Sequence, residues 1–188
     1  MFFSRTKSAS CCAAFTLLEL LAVLALLGVL ATLVSGVGRR ASDAGRTARA
    51  RAELAALAAA LEGYRREHGD YPRTGDGAVL LQSLLGRLAP DGATPPRGGR
   101  PGLELAKFSV AAPRDPERPA DPFGNAAAVL VDPWGQAYRY AFRSIAGWTN
   151  PGFVLYSCGP DRLDSPILLP GGFMNQSAEA NTDNVRLP

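Results

Sequence analysis

Hydrophobic positions are spread very unevenly along this chain. Residues 15–37 (FTLLELLAVLALLGVLATLVSGV) are apolar almost without interruption, and Glu19 is the one charged residue among them. At about 1.5 Å per residue, a helix of that run crosses a bilayer core of roughly 30 Å. Beyond residue 38 the pattern turns amphipathic. Leu54, Leu57, Ala58, Leu61 and Tyr64 recur at helical spacing, with Arg51, Glu53, Glu62, Arg65, Arg66 and Glu67 between them. His68-Gly69 ends it, with His68 in the last turn facing the helix dipole and Gly69 free to take a left-handed cap. The two patterns together predict one helix from about Phe15 to about His68, about 80 Å long.

The remainder, residues 69–188, alternates turn chemistry with short apolar segments. Tyr71-Pro72 and Asp76-Gly77 precede Leu80, Leu81, Leu84 and Leu85, which reads as a turn and a short helix. Residues 86–131 form a Pro/Gly-rich insertion, expected to be largely irregular. Within it, residues 103–110 suggest a short strand. Asp132-Pro133-Trp134-Gly135 is a turn leading into a strand in which Tyr138, Tyr140 and Phe142 alternate with Arg139, Ala141 and Arg143. Residues 153–158 read as a second, more buried strand. The expected class is α+β: a long N-terminal helix, first transmembrane and then amphipathic, packed on a small antiparallel sheet.

Two readings of residues 15–37 compete. A secretory signal peptide has an apolar core of about 7–15 residues and a small-residue cleavage site, and Val34-Ser35-Gly36 can serve as one. The run is longer than that and continues directly into a helical pattern, which favours a retained membrane helix. Basic residues flank both ends, Arg5 and Lys7 before, Arg39 and Arg40 after, so the positive-inside rule does not orient the span.

Composition narrows the chemistry. Among 188 residues there are 20 Lys plus Arg, 17 Asp plus Glu, one His and three Cys. A single His argues against a nucleophile–His–acid triad or a His-rich metal site. The chain has no phosphate-cradling glycine loop, no paired-Cys metal spacing and no HExxH helix. No acid–base set can be assembled, so the chain is not expected to be an enzyme. Were the segment before Phe15 removed, Cys11 and Cys12 would go with it, leaving Cys158 without an intrachain disulfide partner. The same removal would take Arg5 and Lys7 and lower the formal charge from +3 to +1, and neither value is a nucleic-acid footprint.

Glu19 carries the sharpest signal. A carboxylate near the start of a membrane helix is costly unless a cation meets it. A chain cut before Phe15 would place a new α-amine four residues away, cationic at neutral pH and able to neutralise the carboxylate of a neighbouring subunit. Ala14-Phe15-Thr16-Leu17-Leu18-Glu19 resembles the signal of type IV prepilins and type II secretion pseudopilins. That resemblance implies cleavage between Ala14 and Phe15 by a prepilin peptidase, methylation of the Phe15 amine, and a role for Glu19 in assembly. The family normally has Gly where this chain has Ala14.

Tyr71-Pro72, Asp132-Pro133-Trp134-Gly135 with Tyr138, and the run Phe153 to Asp161 (FVLYSCGPD) are similar to the major pseudopilin of type II secretion systems. The resemblance implies a leader (1–14), a transmembrane and filament-core half-helix (15–37), an amphipathic half-helix (38–68) and a periplasmic head (69–188). It further implies a homo-oligomeric filament with minor pseudopilins, an inner-membrane assembly platform, and calcium in the loop after the second strand. Asp161, Asp164, Asp183 and Asn184 are the residues here that match or can supply its ligands, with backbone carbonyls near Cys158. Arg162 stands where the family has Gly, Asn184 where it has an acid, and the loop is longer. The alternatives are a type IV or competence pilin, and a secreted soluble binding domain with a cleaved signal.

Overall fold

The computed structural model describes residues 16–95, 99–113 and 115–187, with side chains described at all of these but 31–40, 116 and 117. Helix α1 runs Leu17–His68. Its start is set by Thr16, whose Oγ1 accepts the Glu19 N–H at 3.2 Å, satisfying one of the donors a helix N-terminus leaves open. Its end is the expected one. Gly69 takes φ +81° and its N–H reaches Arg65 O at 2.7 Å, while the His68 ring stacks on Tyr64 at 4.1 Å between centroids.

The chain divides into two units, Met1–Ser42 and Asp43–Pro188. In the first, the side chains from Leu17 and Leu18, each 80% accessible, to Leu30 are exposed and, Glu19 apart, apolar. Among the described residues, no helix is long and apolar enough to cross a membrane. Phe15 and the side chains of residues 31–37, which belong to the expected span, lie outside those described.

The second unit holds the core. Leu54, Leu57 and Leu61 of α1 are fully buried against Leu80, Leu81 and Leu84 of α2 (Gly77–Leu84). Each such leucine contributes about 1.5–3 kcal/mol of burial. Asp76 starts α2 by accepting the Ala78 N–H at 2.7 Å. Three antiparallel strands follow: β1 (Ser109–Ala112), β2 (Asp115–Pro119) and β3 (Val129–Val131), in spatial order β2-β1-β3. A second antiparallel sheet has the order β4-β5-β8, from Arg139–Ala141, Val154–Ser157 and Val185–Arg186. Between β5 and β8 lies a hairpin of β6 (Leu168–Leu169) and β7 (Phe173–Met174).

Two expectations need correction. The insertion at 86–131 is not merely irregular: β1, β2 and β3 form a sheet from it, and its prolines are compatible with that. Pro116 and Pro119 sit on β2, an edge strand, where a missing N–H costs no ladder bond. The stretch 103–110 is not one strand. Residues Leu105–Lys107 make a 3₁₀ turn, and the paired strand begins only at Ser109. Leu105 and Phe108, three apart, both pack on the core, which a three-residue turn achieves and a strand does not.

The β4–β5 pair explains why all four β5 side chains are buried. Tyr138, Tyr140 and Phe142 face α1 and the main core, as their alternation predicts. Ala141, Val154 and Tyr156 face the other way and form a second small cluster, covered by Trp148, Leu168 and Met174. The segment between β5 and β8 thus roofs the outer face of the sheet.

Candidate functional site

Two regions carry the chemistry anticipated from the sequence. At the N-terminus, Glu19 occupies the first turn of α1, exposed and close to the helix's positive pole. Its own N–H is spent on Thr16, and its neighbours Leu17, Leu18, Leu20 and Leu21 are all more than half exposed. Ala14 and Phe15, the expected cleavage pair, lie outside the described residues.

The second region is the loop 159–184. Its neck is narrow because Gly159 and Asp183 touch: a Cβ on Gly159 would come 2.6 Å from the Asp183 carbonyl oxygen. Gly159 takes φ +78° to allow this. Asp161 and Asp183 are brought together, the Asp161 N–H donating to Asp183 Oδ2 at 3.2 Å. Asp161 Oδ1 in turn accepts the Leu163 N–H at 2.8 Å. Asn184 is buried and donates through Nδ2 to Asn181 Oδ1 at 3.0 Å. Three acceptor oxygens of this loop, Asp164 Oδ2, Asp183 Oδ1 and Asn184 Oδ1, are buried with no hydrogen-bond partner.

Asp164 is engaged elsewhere. Its Oδ1 accepts the Tyr156 hydroxyl at 2.7 Å, and Oδ2 forms an ion pair with Arg139 Nε at 2.7 Å, without hydrogen-bond alignment. Arg139 and Tyr156 are directly opposed in the β4–β5 register, so the carboxylate bridges the two strands. A guanidinium at that distance competes with any metal ion for the same oxygens. Among the described residues, no three His, Cys, Asp or Glu side chains converge as a metal cage. The oxygens that fit a hard cation are therefore those of Asp183 and Asn184, supplemented by backbone carbonyls.

Cys158 is free and buried, and burial pushes its thiol up to about 11 despite the adjacent arginine. It is a neutral packing residue rather than a reactive one. Trp134 is likewise in the core. Asp132 holds the turn between β3 and β4: Oδ1 accepts from the Trp134 and Gln136 N–H groups, and Oδ2 accepts the Ser157 hydroxyl at 2.6 Å.

The residues that sequence reading missed are Asn181, Arg139 and Tyr156. Arg139 and Tyr156 share the outer face of a predicted strand pair, so their proximity was available from alternation. Asn181 left no such signal.

Comparison with known proteins agrees with these features. A family model described as the prokaryotic N-terminal methylation motif matches residues 9–35, which includes Ala14, Phe15 and Glu19. The type II secretion system core protein G of Pseudomonas aeruginosa is 30% identical over 172 residues, covering 92% of this chain and 96% of that protein. The chain belongs to the major-pseudopilin family. This family is one of structural subunits rather than enzymes. The similarity spans this pseudopilin's helix and head alike. No solved structure matches it.

Proposed function

We propose that this pseudopilin is the subunit of a type II secretion pseudopilus, inserted in the bacterial inner membrane by its N-terminal helix and then assembled into a periplasmic filament that supports protein export. The observation that carries the reading is the combination of a methylation-type signal with Glu19 in the first turn of a long, apolar, exposed half-helix. Assembly transfers that apolar surface from lipid to neighbouring helices. Glu19 then accepts the methylated amine of a neighbouring Phe15, and the pair offsets the burial of each charge. A prepilin peptidase, minor pseudopilins and an inner-membrane assembly platform are the implied partners.

Calcium is part of the reading at a reduced site. Asp183 and Asn184 would hold it through their unpartnered oxygens, with carbonyls near Cys158 and a contribution from Asp161. The cation would supply positive charge to oxygens that the protein itself leaves unpaired.

The test is the mass of the N-terminal peptide from cells co-expressing a prepilin peptidase. A peptide starting at methylated Phe15 supports the reading, and Glu19→Ala is then expected to abolish filament cross-linking while leaving cleavage intact. A start near Val37 would make the chain a secreted domain and remove the filament.

A further inference from the structure

We infer that the loop 159–184 is clasped shut by the chain's own side chains, Asn181 and Asp164, so that its closure does not depend on a cation. Asn181 has no exposed surface. Its side-chain amide makes four hydrogen bonds, the full capacity of the group. Oδ1 accepts the Ser165 N–H at 2.9 Å and Asn184 Nδ2 at 3.0 Å. Nδ2 donates to Ser165 O at 3.1 Å and to Asn175 O at 2.8 Å. One amide therefore gathers two backbone carbonyls and a backbone N–H from separate parts of the loop. Collecting carbonyl oxygens around a positive pole is what a calcium ion does in such a loop, and here an N–H₂ group does it.

Asp164 completes the clasp from the adjacent position. Its side chain is 4% exposed, and it ties the loop to β4 through Arg139 and to β5 through Tyr156. The positive charge beside this carboxylate is a guanidinium. Residues 164 and 165 are thus pinned in both directions, to the sheet and to the closing segment. The hairpin tip is held independently, with the Thr149 and Asn150 N–H groups both donating to Gly171 O at 2.9 Å. A cation seated at Asp183 and Asn184 would join a loop already closed.

The clasp is tested by hydrogen exchange on the processed full-length chain in mild detergent, with calcium chloride or with EGTA. In the native chain, peptides covering 159–184 are expected to show the same protection in both. Asn181→Ala is expected to speed their exchange about tenfold or more in both conditions, with peptides of α2 unchanged. Loss of loop protection on chelation of the native chain would overturn the inference, and so would rescue of Asn181→Ala by calcium. Should Asn181→Ala unfold the head, Asn181→Leu keeps the volume and removes every hydrogen bond of the amide without adding a metal ligand. Rapid loop exchange in both conditions supports the clasp there, and calcium rescue defeats it. Calcium binding is measured separately by calorimetry, so the metal reading can fail while the clasp stands.

Discussion

The phenol of Tyr138 donates to Glu53 Oε2 at 2.7 Å, joining β4's approach to a buried carboxylate on α1 across 85 positions of chain. Glu53 is 5% exposed, and its other oxygen accepts from Arg49 Nε at 2.6 Å. A carboxylate so enclosed is tolerated because both oxygens have donors. The pair also ties the approach to β4 to one point along α1, beside the fully buried Leu54 and Leu57.

Removing one member should therefore cost more than removing both. Tyr138→Phe leaves Glu53 a donor short and is expected to destabilise the head by about 1–3 kcal/mol. Adding Glu53→Met to that variant should recover part of the loss, since an apolar pair of similar volume requires no desolvation of charge. Denaturant unfolding of the three chains in detergent checks the order. A double variant weaker than Tyr138→Phe alone would mean that the carboxylate is needed for Arg49 rather than for the tyrosine.

All five tyrosines are raised above the ordinary value of about 10. Burial is the first cause in each. Tyr64 and Tyr71 are pushed up to about 12, and for Tyr71 the bond and charge of Glu62 add to burial. Tyr138 and Tyr156 rise further, first because they are more deeply buried and then because the carboxylates of Glu53 and Asp164 accept their hydroxyls. A raised folded value means a stabilising contribution fully present below about pH 10 and lost as pH climbs through the folded values. Tyrosinate absorbance should thus appear only together with loss of near-ultraviolet ellipticity. A tyrosine titrating freely near pH 10 in folded protein would contradict the packing of Tyr140 and Tyr138.

Most of the framework was legible because periodicity reports burial on one face. The spacing of Leu54, Leu57 and Leu61 named α1, and the alternation of Tyr138, Tyr140 and Phe142 named β4 and its inward side. Gly69 marked the helix end. The insertion escaped because Pro116 and Pro119 read as breakers when an edge position tolerates them. In the loop, residue type alone could not separate Asp183, whose Oδ1 is unpartnered, from Asp164, whose oxygens are taken by Arg139 and Tyr156. That distinction depends on strand register, and Asn181 on contacts 6 and 16 residues away.

The neck of the loop offers a controlled comparison between two glycines. Gly147 has φ +71° and nothing within 4 Å of an added Cβ, whereas Gly159 has φ +78° and the Asp183 carbonyl at 2.6 Å. Gly147→Ala should cost only the backbone term, about 1–2 kcal/mol. Gly159→Ala should cost a further ~1–3 kcal/mol, because the Asp183 backbone must move. Thermal unfolding of the two variants side by side measures the difference. Equal losses would mean that the neck is looser than the contact of Gly159 with Asp183 implies.

Arg162 makes the opposite prediction, a gain. It adopts φ +61°, a left-handed conformation that carries a Cβ penalty of about 1–2 kcal/mol for most residues. Its side chain is exposed and contributes no packing that would compensate. The family resemblance has Gly at this position, and the turn here keeps the backbone geometry that Gly prefers while carrying an arginine. Glycine would remove the strain but enlarge the unfolded ensemble, so the two effects partly cancel. Arg162→Gly is expected to raise stability by about 0.5–1 kcal/mol, read as a higher denaturation midpoint at unchanged slope. A lower midpoint would show that the Arg162 guanidinium makes a stabilising contact outweighing its backbone strain, and the loop would then owe part of its order to that residue.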